Sequence, residues 1–178
     1  MTYLAYYKSP LGNMTMASDG CSLTGLWFDN QKYALSTVGE DSVEEDALPV
    51  FEQTRQWLDV YFEGRDPGFL PPIRLSGSDF RQQVGRILLT IPYGQTMTYG
   101  EIAAQISLLT GKPCMSAQAV GGAVGHNPIS VIVPCHRVVG TNGSLTGYAG
   151  GIALKVGLLR LEQTDMSRLF VPARGTAI

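Results

Sequence analysis

The first 30 residues alternate short β-prone runs with turn signals. TYLAYYKS, NMTMAS and SLTGLWF are separated by SPLG and by Asp19-Gly20, a hairpin turn pair. This pattern predicts an antiparallel β-meander. A charged stretch, GEDSVEEDALP, then leads into a helix in which Val50, Thr54, Trp57, Leu58 and Tyr61 recur at helical spacing. Pro49 suits its first turn, where the missing N–H would be unpaired anyway. The segment EGRDPGFLPPIRLSG is rich in Gly and Pro and places a domain boundary near residue 70, giving domains 1–70 and 71–178.

Beyond the boundary the period is helical. Ser78 is a candidate N-cap for a helix with Phe80, Val84, Ile87 and Leu88 on one stripe, ended by Ile91-Pro92-Tyr93-Gly94. In MTYGEIAAQI, Thr98 and Glu101 have capping-box spacing, and Met97 and Ile102 sit where a hydrophobic staple would. A second short helix follows at SAQAVGGAV with Ser116 as its cap, so the pair outlines a helix-turn-helix. Apart from Gln118, residues 117–125 are only Ala, Val and Gly. A helix that reads the major groove projects long polar side chains, so this one is built for close backbone approach, to another helix or to a ligand. Asn127-Pro128 ends it. ISVIV reads as a buried strand stopped by Pro134, Asn142-Gly143 as a turn, and GYAGG at 147–151 as a loop. ALKVGLLRLE is a closing helix with Leu154, Leu158 and Leu161 on one face. The fold class is therefore α+β: a meander with a helix, then a mostly α-helical domain.

Composition narrows the class. At 44% hydrophobic and 16% charged the chain is globular, and no apolar run approaches the ~18 residues of a membrane span. Three widely spaced cysteines argue against a disulfide framework and for a reducing, cytoplasmic setting. Two histidines, neither in zinc-ligand spacing, give no expected metal site. Charge is uneven: residues 1–70 carry four basic and eleven acidic side chains, residues 71–178 nine basic and four acidic. A polyanion is repelled by the first part and attracted to the second.

The chemistry concentrates in VIVPCHRVVG, residues 131–140. A thiol needs a base or a positive field to become a nucleophile, and His136 adjoins Cys135. Pro134 interrupts the preceding run, so the pair need not obey strand alternation. A carboxylate could orient the imidazole, with Glu162 and Glu101 as candidates. Cys21 follows a hairpin turn, and Cys114 lies between helices with no histidine near. No phosphate-loop or dinucleotide fingerprint is present in the glycine-rich 140–151.

PCHRV, with GGAVGHNP upstream and GYAGG downstream, resembles the O6-alkylguanine-DNA alkyltransferases, or methylated-DNA–protein-cysteine methyltransferases, over about residues 78–162. The meander and helix before it fit that family's N-terminal, ribonuclease-H-like domain. The resemblance implies that Cys135 is the alkyl acceptor, with His136 activating it through a water and Glu162 orienting His136. It also implies that Tyr99 assists the leaving guanine and that Asn127 ties the recognition helix to the active-site turn. Val138, Tyr148, Ala149 and Gly150 would line the base pocket, with Lys155 nearby. DNA contacts would come from Thr98, Ser116, Ala117, Gln118, Ala119, Gly121, Gly122 and Arg137. The partner is duplex DNA, entered from the minor groove with the O6-alkylguanine flipped out, by a monomer needing no cofactor.

Two positions depart from the family pattern. Gln118 stands where an arginine often fills the space of the flipped base, and Ala149 where some members have serine. The segment SLLTGKPCMS, 107–116, reads as a longer inter-helix loop than in compact members. The competing readings are a non-catalytic binder of alkylated DNA, a cysteine hydrolase and a helix-turn-helix regulator. Cys135 opposes the first. The missing His–Asn or His–Asp pair opposes the second, and the bland second helix the third.

Overall fold

A computed structural model describes residues 1–113 and 115–173; Cys114, placed by sequence between two helices, lies outside the described residues. The chain forms two compact units. The first comprises Met1–Ser76 together with Pro128–Ile132, and the second Gly77–Asn127 with the chain from Val133 onward.

The first unit carries strands β1 (Thr2–Ser9), β2 (Gly12–Ser18) and β3 (Leu23–Phe28), paired antiparallel as the meander pattern predicts. Asp19 Oδ1 accepts from the amides of Cys21 and Ser22, and Gly20 takes a φ of 100° that the turn requires. A fourth strand, β4 (Ser42–Glu44), runs parallel beside β1, so the sheet is mixed, in the order β3-β2-β1-β4. It lies inside the acidic stretch read as a mere lead-in. Its three residues have no alternation to betray it, and only pairing with β1 makes it a strand. Helix α1 (Pro49–Phe62) packs on β1–β3, burying Val50, Phe51, Thr54, Trp57, Leu58 and Tyr61.

The second unit begins with α2 (Asp79–Leu88), capped by Ser78 Oγ accepting from Arg81 N. Strand β5 (Met97–Thr98) leads into α3 (Tyr99–Thr110), whose capping box of Thr98 and Glu101 is complete. Helix α3 runs to Thr110, so the first four residues of the expected 107–116 loop are its last turn, closed by Gly111 at φ 65°. Helix α4 (Ala117–Gly125), capped by Ser116, packs against α2 and α3 through Val120, Ala123 and Val124. The short 3-10 turn Cys135–Arg137, strand β6 (Val138–Val139) and α5 (Ile152–Leu161) complete the unit.

ISVIV is buried but is not a strand. Leu26 N donates to Pro128 O and Ser130 N to Leu26 O, a single bridge at the edge of β3. Val131 then turns left-handed, with φ 70°. A β-branched residue takes that conformation only where its surroundings impose it, at about 1–3 kcal/mol. Here the apolar run is buried by the first unit's core, Ile129 and Val131 being 0% and 1% exposed, and no ladder extends it.

Candidate active site

Pro134, at φ −82° and ψ 64°, is the centre of an inverse γ-turn in which Cys135 N donates to Val133 O at 2.8 Å. Proline fits that φ, and its missing N–H is not needed there. The bend opens the 3-10 turn Cys135–Arg137, so Cys135 and His136 escape the alternation of a strand. Immediately afterwards β6 pairs parallel with β5, Met97 opposite Val138 and Thr98 opposite Val139. Tyr99, the first residue of α3, follows β5 directly and lies near enough to Cys135 to feel its charge.

Cys135 is 4% exposed. Asn127, just past the end of α4, donates from Nδ2 to Val133 O at 2.8 Å and to Cys135 Sγ at 3.2 Å. The helix end is thereby joined to the turn that carries the thiol. Burial pushes the Cys135 thiol up, while the Asn127 amide, the charge of Lys155 and the Cys135 and His136 backbone amides pull it down. The site is therefore a thiol at rest, surrounded by groups that favour the thiolate once a base takes the proton.

His136 is fully buried, and its Nε2 lies 2.6 Å from Glu162 Oε1. Burial would raise the Glu162 carboxyl, but His136 and Arg137 outweigh it and hold it at about 2. An ionised carboxylate only accepts, so Nε2 carries the proton and Nδ1 the lone pair in the neutral ring. Burial lowers the His136 pKa, Glu162 opposes this, and Arg137 and Lys155 add to it. The imidazole is thus kept neutral, the form that can act as a base.

Lys155, 0% exposed, donates from Nζ to Val138 O at 2.5 Å and to Thr146 O at 3.0 Å. Burial brings its pKa down to about 8, with Cys135 pulling the other way. The Tyr99 hydroxyl donates to the same Thr146 carbonyl at 3.1 Å, and burial, then the nearby Cys135, push its pKa up to about 12. Gly147 takes φ 70°, and a Cβ there would stand 3.2 Å from Tyr99 Oη. The glycine keeps the loop close to the tyrosine. Tyr148 is buried, and Ala149 and Gly150 are half-buried beside it.

The other expected positions divide by exposure. Ser116, Ala117, Gln118, Ala119 and Gly122 are exposed along the start and open side of α4, while Gly121 faces Tyr99, its would-be Cβ 3.8 Å from Cε1. Thr98 is half-buried, and its hydroxyl is occupied by the capping box. Arg137, expected at the DNA surface, is a correction. Its side chain turns inward, donating from Nε to Glu162 Oε2 and from Nη2 to Glu162 Oε1, both at 2.9 Å, and from Nη1 to Ile91 O at 2.6 Å. Glu162 is the buried anion that draws it in, and a guanidinium so engaged has no donor fork left for phosphate.

Sequence reasoning missed the turn behind this pair. Gly94 N donates to Glu162 Oε2 at 3.1 Å, the Tyr93 hydroxyl to Leu161 O at 3.4 Å, and the Tyr93 ring lies 5.8 Å from the Arg137 guanidinium. In sequence IPYG reads only as a helix stop. Its glycine, at φ 76°, was the visible sign of a special backbone.

Among the described residues, no helix is long and apolar enough to cross a membrane, and no three His, Cys, Asp or Glu residues stand together to hold a metal ion.

Residues 2–75 match the ribonuclease-like domain of 6-O-methylguanine DNA methyltransferase, and residues 79–164 match its DNA-binding domain. The chain is 47% identical to the methylated-DNA–protein-cysteine methyltransferase of Mycobacterium tuberculosis over 164 residues, 92% of this chain and 94% of that one. It is 41% identical to that of Haemophilus influenzae over 162 residues, 90% of this chain and 86% of the relative. A crystal structure of Mycobacterium tuberculosis OGT in complex with DNA superposes with a TM-score of 0.78 at 44% identity, covering 96% of each chain.

Proposed function

Because the chain belongs to the methylated-DNA–protein-cysteine methyltransferase family, we propose that it repairs O6-alkylguanine in duplex DNA by moving the alkyl group onto its own Cys135. The observation that carries this reading is the buried thiol, bonded by Asn127 and followed by the His136–Glu162 pair.

The alkyl carbon on guanine O6 is shielded inside a duplex, so the nucleotide must be flipped out to reach a buried sulfur. Helix α4 enters the minor groove, where Ala117, Ala119 and Gly122 let its backbone approach, and Gln118 occupies the space the base leaves. Val138, Tyr148, Ala149 and Gly150 then line the base pocket. His136 takes the thiol proton through a water, and its imidazolium is stabilised by Glu162. The thiolate attacks the saturated carbon in line. A C–S bond forms as the C–O6 bond breaks, and its electron pair leaves with guanine. Tyr99, held as a phenol across the neutral range, turns its O–H from the Thr146 carbonyl to the departing base. Guanine ends with the proton the thiol lost. The product is a thioether with no good leaving group, so each molecule acts once. The protein works as a monomer and draws on no cofactor.

Intact mass after incubation with duplex DNA containing O6-methylguanine tests this directly. One methyl group per protein is expected, on the peptide containing Cys135. No gain, or a gain on the Cys21 or Cys114 peptide, rejects the mechanism.

A further inference from the structure

We propose that Arg137 is a positioning residue for alkyl transfer, its guanidinium fork fixing the Glu162 carboxylate so that one oxygen stays aimed at His136. The inference deepens the functional reading above and rests on it.

Glu162 caps the C-terminal end of α5, where nothing in the helix itself sets the plane of its carboxylate. Arg137 sets it. Nε and Nη2 meet the two oxygens at 2.9 Å each, and the third nitrogen is anchored on Ile91 O at 2.6 Å. Gly94 N, from the other end of the same turn, completes Oε2 at 3.1 Å. Oε2 is thus taken by Arg137 and Gly94, and Oε1 is shared between Arg137 and His136 Nε2. A rotation of the carboxylate would break all of these together.

Stability alone does not account for such a pair. A buried arginine and carboxylate gain little over apolar residues of the same volume, because desolvation consumes most of the attraction. What the pair adds is direction: a planar donor fork orients a carboxylate as a point charge cannot. Held this way, Glu162 keeps the His136 proton on Nε2 and turns Nδ1 to the work of a base. The charge matters as well. His136 is faced by Glu162 from the end of α5, by Lys155 from α5, and by Arg137 and Cys135 in its own turn. Arg137 offsets the carboxylate, so the ring is not drawn into a permanent imidazolium.

The test compares single-turnover methyl transfer from O6-methylguanine duplex DNA by the unsubstituted protein, Arg137→Lys, Glu162→Gln and the double variant. Arg137→Lys keeps the charge and loses the fork. Its rate at saturating DNA should fall about 10- to 100-fold, a loss of the size seen when an outer partner that orients a metal ligand is removed. DNA affinity and its salt dependence should not move. The two substitutions should be non-additive, since one acts through the other. In Arg137→Gln the acid limb of the rate profile should shift to higher pH, as His136 loses a cationic neighbour. An Arg137→Lys rate equal to the unsubstituted one overturns the inference. So does a loss confined to DNA affinity with a shallower salt slope, the signature of a phosphate contact, or strict additivity. If the variants do not fold, imidazole 15N shifts of the unsubstituted protein decide. A neutral ring protonated on Nε2 at pH 7 is expected, and an imidazolium or the other tautomer overturns it. Failure of the functional reading looks different: the unsubstituted protein itself transfers nothing.

Discussion

Four donors converge on the two oxygens of Glu162: His136 Nε2, Arg137 Nε and Nη2, and Gly94 N. This places a stability term on the pH axis. The Glu162 carboxyl lies at about 2 in the folded protein against an ordinary 4.5, so folding favours its charged form. The resulting stabilisation is complete above about pH 4.5 and is lost as pH falls toward 2. Urea midpoints measured across that range should decline in the unsubstituted protein. Glu162→Gln should show no such decline from this group, and at neutral pH it should be less stable by about 3 kcal/mol or more, because Arg137 is left buried without its anion. Parallel pH curves for the two proteins would contradict the assignment. The residue pair PCHRV–Glu162 was legible in sequence as a thiol, a base and a candidate orienter. Arg137 reads in sequence as a surface residue, since a lone Arg in a motif carries no mark of the anion it will meet 25 residues later.

Helices announced themselves wherever their signals are local. Ser78, Thr98 and Ser116 cap the helices their spacing predicted, because a cap needs only the next three amides. Strand β4 and the turn at Val131 were invisible for the opposite reason: each is made by a partner far away in the chain. Helix α4 provides a test of its own. A Cβ at Gly122 would meet nothing within 4 Å. Gly122→Ala should therefore stabilise the fold by about 0.5–1 kcal/mol, from the lower entropy of the unfolded chain and better helix propensity. Gly122→Leu should fold equally well yet bind duplex DNA more weakly, if this face lies against the groove. Unfolding curves and a DNA titration on the same two variants separate the effects. Unchanged DNA affinity in Gly122→Leu removes this face from the interface.

Across the whole molecule, charge and connectivity both read differently once folded. Of the cations that made residues 71–178 basic, Arg137 and Lys155 are buried, so the field available to a polyanion comes from exposed Arg81, Arg86, Lys112, Arg160 and Arg168 among others. Connectivity is interleaved as well. Pro128–Ile132, just upstream of the thiol, belongs to the first unit. Ser130 Oγ donates to Gln31 Oε1 at 2.9 Å, and Phe28 N donates to the same oxygen at 3.2 Å. Gln31→Leu leaves both donors buried and unsatisfied and should cost about 1–3 kcal/mol in urea unfolding. A change within a few tenths of a kcal/mol would show that water or rearrangement replaces the glutamine.

The sequence by itself determined the meander, the capped helices, the break at Pro134 and the family resemblance that singled out Cys135. These rest on periodicity, caps and turn chemistry, which act over a few residues, and on an ordered set of motifs. Only the tertiary structure decided that ISVIV is a bridged turn and that the sheet is mixed. It also turned Arg137 toward Glu162 and brought the IPYG turn behind the pair. Those outcomes depend on which distant groups share a buried space, where an unpaired charge or amide costs more than any local preference can repay.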